Sequence, residues 1–432
     1  MYCTWKVSSV RNFARNVSFS PRRRVTPRTV DELTTIIRES TRIRAVGAAH
    51  SWSPAIVTED TLVSLDAMAS PIALDRDKRQ VTVQGGMRLR ALNTYLDTHG
   101  FAMKSLGSID SQTAAGVIAT GTHGSGRAFP CLSAQVARLE LVDGRGERVS
   151  LARGDADFAG AVVGIGALGV VHAVTFDVVP AFRLHDVTKI ERFDDMLENL
   201  DANLADVDHF KVWWLVPDER VVVYRYQRTD APANDSRFRR WFKERVISVG
   251  AYRTLLALGQ LNSRRWIPGI NRFLTNQAGR PLDRLVPSYV GYLTPIPPRH
   301  RESEWAFDLT HAKDLLREYR RLLPDGGHSY NFIQELRFSK GDDLWLSPAY
   351  QRDSIWLSLY NVDRQHWDAQ LAKFESFARA NGGRPHWGKE ATFDRTYLRS
   401  QYARLDDFIA LAARFDPDGK FRNAWTDEIL GR

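Results

Sequence analysis

The order of apolar and polar positions divides the chain into two textures. In the first, Leu33, Ile36 and Ile37 recur at helical spacing behind a Thr29 cap with Glu32 three residues on, which predicts a helix from Pro27 to Ser40. Ile43, Ala45 and Val46 then alternate into a strand, and Leu62 to Asp66 reads as another. Val81 and Val83 mark a third strand ending at Gly85-Gly86, and Leu89, Leu92 and Leu96 predict a helix that stops at Gly100. From Lys104 to Gly126 the period is lost in a small, polar, glycine-dense run with only Val117 and Ile118 as apolar anchors. A connection of this length is either functional or disordered, and the two anchors favour function. Strand character returns at Val136, Leu139 and Leu141, followed by a turn at Asp143-Gly144 and a return strand from Arg148 to Leu151. A helix over 155–163 and a strand from Val170 to Val179 lead to Pro180.

The second texture, from Ala181 to about Arg384, is rich in aromatic residues, with strands alternating with helices. Val212 to Val216 and Val221 to Tyr224 predict neighbouring strands of an antiparallel sheet. Ser236 to Leu258 reads as a basic amphipathic helical region with Phe238, Trp241 and Phe242 on one side, better explained by packing on its own domain than by contact with a membrane surface. At 432 residues two domains are expected. The net charge of +9 favours anionic partners, but the basic residues are mostly dispersed and form no nucleic-acid module. Cys3 and Cys131 make neither a disulfide framework nor a metal spacing. The first residues lack the order of a signal peptide, and the longest apolar run, Ala161 to Val171, is too short and glycine-broken to span a bilayer, so a cytoplasmic protein is expected.

Candidate chemistry concentrates in three places. Gly47-Ala48-Ala49-His50-Ser51-Trp52-Ser53 follows a strand, and small residues there leave backbone N–H groups free to form a nest for an anion such as a pyrophosphate, with a histidine at its centre. In Gln334-Glu335-Leu336-Arg337-Phe338 a strand would turn Glu335 and Arg337 to one face, either as an ion pair or, in a pocket, as a pair that binds a hydroxyl and a developing charge. His386-Trp387-Gly388-Lys389 is a stiff turn delivering a lysine. Gly164-Ile165-Gly166-Ala167-Leu168-Gly169 matches a dinucleotide fingerprint in spacing alone, because a helix precedes it and a strand follows, the reverse of what that motif requires. No Walker lysine motif or zinc motif is present, and no metal site is expected.

The nest with its histidine, the strand after it, the Gly107 to Gly126 run ending in Gly-Thr-His-Gly, the Glu-Leu-Arg strand and His-Trp-Gly-Lys stand in an order that resembles the sugar-lactone and alditol oxidases of the vanillyl-alcohol-oxidase superfamily. The resemblance implies an α+β protein: a two-subdomain FAD-binding domain of the PCMH type over residues 1–180, an antiparallel-sheet substrate (cap) domain over 181–385, and a C-terminal segment, 386–432, returning to the FAD domain. It implies FAD covalently bound through His50, with Gly47, Ala48, Ala49, Ser51, Trp52 and Ser53 around the pyrophosphate. Gly107, Ser108, Ser111, Thr113, Gly116, Thr120, Gly121, Thr122 and Gly124 would line the cofactor, with Val170 on the adenine side and Lys389 at the flavin. Glu335, Arg337, Lys389 and Ser108 would be catalytic, and Gly107, where related dehydrogenases carry alanine, would admit oxygen. The implied reaction is oxidation of a CH–OH group of an aldonolactone by hydride transfer to the flavin, with oxygen reduced to hydrogen peroxide. An alditol is the second substrate class; Ser358 and Tyr360, where an alditol oxidase would carry histidine and threonine, weigh against it. Two other readings are a dehydrogenase passing electrons to a quinone or cytochrome, and a flavin- or anion-binding module without catalysis.

Overall fold

A computed structural model of the protein describes residues 9–234, 263–293, 299–323, 330, 332–362 and 366–431. The Ser236 to Leu258 region, Cys3 and the first eight residues lie outside them. A short hairpin, β1 (Val10–Arg11) and β2 (Ser18–Phe19), opens the described chain. β3 (Arg23–Val25), β4 (Ile43–Val46) and β5 (Thr61–Ser64) form a parallel sheet in the order β3-β5-β4. Parallel neighbours need a crossover, and α1 (Val30–Glu39) supplies one between β3 and β4. The Thr29 hydroxyl accepts the Glu32 N–H at 3.1 Å, while the Glu32 carboxylate takes the N–H of Arg28, one residue before the cap. Leu33, Ile36 and Ile37 are buried against Ile43, Val63 and Val170.

A second, antiparallel sheet follows: β6 (Pro71–Asp75), β7 (Gln80–Gln84), β8 (Phe101–Met103), β9 (Val136–Val142), β10 (Arg148–Ala152) and β11 (Val170–Pro180). Its order is β10-β9-β11-β7-β6, with β8 paired to the far end of β11. α2 (Leu89–Thr98) turns Leu89, Leu92 and Leu96 into its core. The 104–126 run holds a helix that its composition concealed: Thr113 Oγ1 accepts the Gly116 N–H at 3.2 Å and starts α3 (Ala114–Ala119), which buries Val117 and Ile118. Conversely, the helix expected over 155–163 is one turn, α4 (Phe158–Ala161), after which the chain turns through positive φ at Ile165 and Gly166.

The aromatic-rich half folds into an eight-stranded antiparallel sheet. In chain order its strands are β12 (Arg183–Arg192), β13 (His209–Trp214), β14 (Arg220–Thr229), β15 (Leu282–Pro287), β16 (Arg301–Asp308), β17 (Gln334–Ser339), β18 (Ser354–Asn361) and β19 (Arg384–Pro385). Their spatial order is β15-β12-β14-β13-β17-β18-β16-β19. One face is apolar: Val212, Trp214, Leu336, Phe338 and Leu357 pack under helices that include α5 (Phe193–Glu198), α6 (Leu200–Asp206), Ala312–Leu322 and Trp367–Ala380. Side chains alternate along a strand, so the residues between them face the first two sheets. After β19 the chain runs back to those sheets: the Ile43 N–H donates to the Lys420 carbonyl at 2.8 Å, and Trp425 joins the core around α2. No helix among the described residues is long and apolar enough to cross a membrane.

Candidate active site

β4 ends at Val46, and the chain then makes the nest. Ala49 has φ +50, and a Cβ on Gly47 would lie 2.4 Å from Thr113 Oγ1, so only glycine lets this backbone approach the cap of α3. The carbonyls of the nest are taken: Ala49 accepts from the Phe13 N–H at 2.8 Å, and Ser51 and Trp52 accept from Asn12 and Asn16 at 2.9 Å each. The N–H of Trp52 donates to the Gly388 carbonyl at 2.7 Å. Among the described residues no protein acceptor takes the N–H groups of Ala48, Ala49, His50 or Ser51. Four such donors in a turn form an anion cradle.

Two cavities meet at this nest. The first, walled by Gly47, Thr113, Gly116 and Val170, also takes in Gly85, Gly86 and the Gly164–Gly169 loop. That loop was set aside as a helix-opening fingerprint, and it does not open a helix, yet its glycines wall the cavity. The second cavity holds His50, Ser51, Trp52, Gly107, Ser108, Thr120 and Thr122 on one side. Glu335, Arg337 and Lys389 face them from the cap sheet and the turn after β19. Ala48 and Ala49 contribute nest backbone, whereas Ser53, Ser111, Gly121 and Gly124 line neither cavity. The last two have structural work: Gly121 carries φ +71, and a Cβ on Gly124 would lie 2.6 Å from the Leu106 carbonyl oxygen. The Ser111 carbonyl accepts from Arg88 at 3.1 Å.

The charged groups of the second cavity are held in place by one another. Glu335 Oε1 accepts from Trp213 Nε1 at 2.9 Å, and Oε2 accepts from Arg337 Nη2 at 2.5 Å and the Tyr360 hydroxyl at 3.2 Å. Burial alone would raise its pKa, but Arg337 and Lys211 overcome that and hold the carboxyl below its usual range. Arg337 Nη2 also donates to Ser108 Oγ at 2.8 Å, tying the cap sheet to the glycine-dense run. Lys389 is ion-paired with Glu302, and its ammonium lies 4.1 Å from the centroid of the Trp52 ring. Glu304 accepts from Ser358 at 3.0 Å and pairs with His123 at 3.3 Å, which keeps it an anion despite complete burial.

His50 stacks on Phe13 with centroids 4.3 Å apart, and its Nε2 is buried without a hydrogen-bond partner. Burial first, then the Lys389 charge, lowers its pKa to about 4, so the ring is neutral at physiological pH and Nε2 is available to a ligand. His123, Glu304 and His386 bring their ligand atoms within 4.8 Å of one another, a constellation the sequence did not suggest. It is better described as an ion-pair network than as a metal cage. His386 Nδ1 accepts the Gly388 N–H at 2.9 Å and burial holds the ring neutral, so its proton sits on Nε2 and no lone pair is left there for a cation.

The sequence does not single out Glu302 or Glu304, names Tyr360 only as a departure from the alditol oxidases, and carries His123 and Trp213 only as members of the Gly-Thr-His-Gly run and of a predicted strand. In Arg301-Glu302-Ser303-Glu304 the polar run is what a solvent-facing strand shows, and the only signal was the aromatic and apolar sequence, Trp305-Ala306-Phe307, that follows it.

Residues 21–152 match a family described as an FAD binding domain, and residues 174–429 match the D-arabinono-1,4-lactone oxidase family. The second match spans more than half of the chain. The chain belongs to the D-arabinono-1,4-lactone oxidase family. Relatives within reach of this family include the L-gulonolactone oxidase of Bos taurus, 30% identical over 99% of both chains. The L-gulono-1,4-lactone dehydrogenase of Mycobacterium tuberculosis is 31% identical over 94% of this chain and 95% of its own. An alditol oxidase of a Streptomyces species is 31% identical over 98% and 99%. The fold is that of the cholesterol oxidase of Brevibacterium sterolicum, with a TM-score of 0.85 at 15% identity over 99% of this chain and 97% of that one. The α+β reading and the resemblance drawn from the five motifs agree with these matches.

Proposed function

We propose that this chain is an FAD-dependent oxidoreductase that oxidises a CH–OH group of an aldonolactone, with FAD joined covalently to His50. The observation that carries the reading is the second cavity, where Glu335, Arg337 and Ser108 form one hydrogen-bonded cluster across from His50 and Lys389. The donor set fits the cofactor: four N–H groups without protein acceptors suit a pyrophosphate, and the partnerless Nε2 of His50 suits a covalent bond. Small residues along the first cavity suit an adenosine end. Bound there, FAD supplies the two-electron acceptor, and the protein supplies position and field.

Glu335, already holding three donors, stays an anion and orients the substrate hydroxyl by accepting from it. Arg337 and Lys389 stabilise negative charge as it develops on the substrate oxygen and beyond it, the kind of preorganised electrostatics that commonly dominates catalysis. Around them Glu302 and Glu304 stay anionic, and burial holds His50 and His386 neutral near neutral pH. Oxygen as the acceptor, giving hydrogen peroxide, follows from Gly107. Tyr360 and Ser358 bear on the substrate. Tyr360 occupies the Glu335 carboxylate, and with Trp213 and Phe332 it gives the cavity an aromatic wall that suits a flat lactone ring. An open-chain polyol would need partners for every hydroxyl. The alditol reading retains the support of the Streptomyces relative.

Anaerobic mixing with a panel of aldonolactones and alditols tests the proposal, with bleaching of the flavin absorbance as the readout. We expect lactones to bleach it fastest and acid-precipitated protein to stay yellow. A colourless protein, or flavin that no lactone or polyol reduces, defeats the activity; complete release of flavin into acid defeats the His50 bond alone.

A further inference from the structure

The polar face of the eight-stranded sheet carries charges that alternate in sign from its edge to the second cavity. Arg284 on β15 donates to Asp186 on β12 at 2.8 Å, and both side chains are largely buried. Tyr226 and Tyr224 on β14 come next, then Lys211 on β13, then Glu335 and Arg337 on β17. The β13–β17 register sets Trp213 opposite Glu335 and Val212 opposite Leu336, so Lys211, two residues along from Trp213 and on the same face, falls opposite Arg337.

Lys211 is 6% exposed, and its ammonium lies 4.8 Å from the Tyr224 ring centroid, 5.1 Å from that of Trp213 and 5.7 Å from that of Tyr226. An aromatic cage attracts a cation but does not replace the hydration an ammonium loses, and lysine is among the residues least often buried. Its counter-charges are Asp186 on one side and Glu335 on the other, with the cations Arg284 and Arg337 beyond them. The dependence is mutual, since Lys211 follows only Arg337 among the groups that hold Glu335 ionised. The remaining titratable groups facing this row among the described residues include the two tyrosines of the cage, Tyr360, whose hydroxyl donates to Glu335 at 3.2 Å, Glu304, whose charge acts on Arg337, and His209, which is bonded to the Tyr292 hydroxyl at 2.8 Å.

We propose that Lys211 is a positioning residue of the reaction: its caged ammonium is the second counter-charge on Glu335, balancing Arg337 so that the carboxylate stays anionic and turned toward the substrate hydroxyl. The inference rests on the function proposed above. With Arg337 as its sole cation, Glu335 would have less to offset the burial that works against its charged form, and so would accept the substrate hydroxyl less strongly. Burial brings the Lys211 amine down to about 8, so the counter-charge is present at neutral pH and disappears above that value.

The test uses the flavin-loaded protein and two variants, Lys211→Arg, which keeps the charge over the whole range, and Lys211→Met, which removes it. Anaerobic flavin reduction by the best lactone is followed from about pH 6 to about pH 10. The wild-type rate should fall on the alkaline side with a midpoint near 8. Lys211→Arg should keep most of the neutral rate and lose that decline, and Lys211→Met should be slower by ~10-fold or more at every pH, as expected for a lost electrostatic support. A Lys211→Met protein with the wild-type rate and decline overturns the proposal, and so does a Lys211→Arg protein that declines at the same pH. If Lys211→Met does not fold, the Lys211→Arg profile decides alone. If no sugar reduces the wild type, the functional reading fails, and the spectrum of the bound flavin titrated without substrate decides this one. A step near 8 that Lys211→Arg abolishes supports it, and no step, or a step that persists in the variant, overturns it.

Discussion

A methyl group added at Gly107 would lie 3.3 Å from the His123 carbonyl oxygen and 3.4 Å from Thr122 Cγ2, so an alanine fits once its neighbours yield a few tenths of an ångström. The same methyl would stand at the wall of the second cavity, beside the site assigned to the flavin. Gly107→Ala should therefore slow peroxide formation while leaving reduction of an artificial dye acceptor near the wild-type rate; equal slowing of both would show that the methyl disturbs the site rather than gating oxygen. At this scale the sequence spoke where chemistry and spacing coincide. Glu335 and Arg337 sit two apart in a strand, and His50 sits among small residues, so their placement was legible. Glu302 and Glu304 were not, because an alternating acidic strand looks solvent-facing until another domain packs over it. Lys211 and Trp213 were hidden for the same reason within a strand whose apolar residues drew the eye.

Elements owe their placement to a few buried polar groups, and Arg44 is the plainest. It sits on β4 at 3% exposure and donates to the carbonyls of Ala55 at 2.5 Å, Gly166 at 2.8 Å and Ile165 at 3.1 Å, and also to Phe421. One guanidinium thus pins β4, the 3₁₀ turn at Pro54–Ile56, the glycine loop of the first cavity and the returning C-terminal segment. Burial lowers its pKa to about 10, so it remains charged throughout the physiological range. Arg44→Met would take this donor from the carbonyls of Gly166, Ile165 and Phe421 and leave that of Ala55 with Asn423 alone, at 3.3 Å, and removing one side of a buried charged network costs ~3–5 kcal/mol. Chemical denaturation should register that loss, together with weaker flavin retention because the glycine loop is released; an unchanged midpoint would mean that water replaces the guanidinium. Periodicity found the strands and helices around this peg, but no local pattern marks an arginine in a strand as the tie between segments separated by more than 350 residues in the chain. Likewise α3 was missed because its capping threonine and glycine read as loop, and only burial of Val117 and Ile118 turns them into a helix.

Across the whole molecule, buried ionisable groups away from the nest set the response to acid. Burial drives His209 and His386 down to about 3, and lowers His172 as well, so these rings stay neutral in the folded protein while in the unfolded chain they bind protons below about 6.5. The unfolded state therefore holds more protons across that interval, and stability rises with pH through it. Glu335 and Glu304, held below their usual range by Arg337 and His123 against the effect of burial, act in the same direction once the unfolded carboxylates begin to protonate, below about 4.5. Asp342 opposes them: burial raises it to about 6, so between its ordinary value and 6 the folded state holds the extra proton and gains from acid. Asp186, Asp416 and Glu390, which burial also raises, act on the side of Asp342, while His50 of the nest, lowered to about 4, joins the histidines; three strongly lowered rings against one strongly raised carboxylate leave a net loss on acidification. The denaturation midpoint should fall as pH drops from about 6.5 toward about 4, with a slope on the order of 1–3 kcal/mol per pH unit. His209→Gln should flatten that slope by up to one proton while lowering stability at neutral pH through the lost Tyr292 bond. A midpoint that stays level across the interval would mean that these rings reach water in the folded protein, and the packing of the eight-stranded sheet against the first two sheets, which buries His209 and His386, would have to be looser.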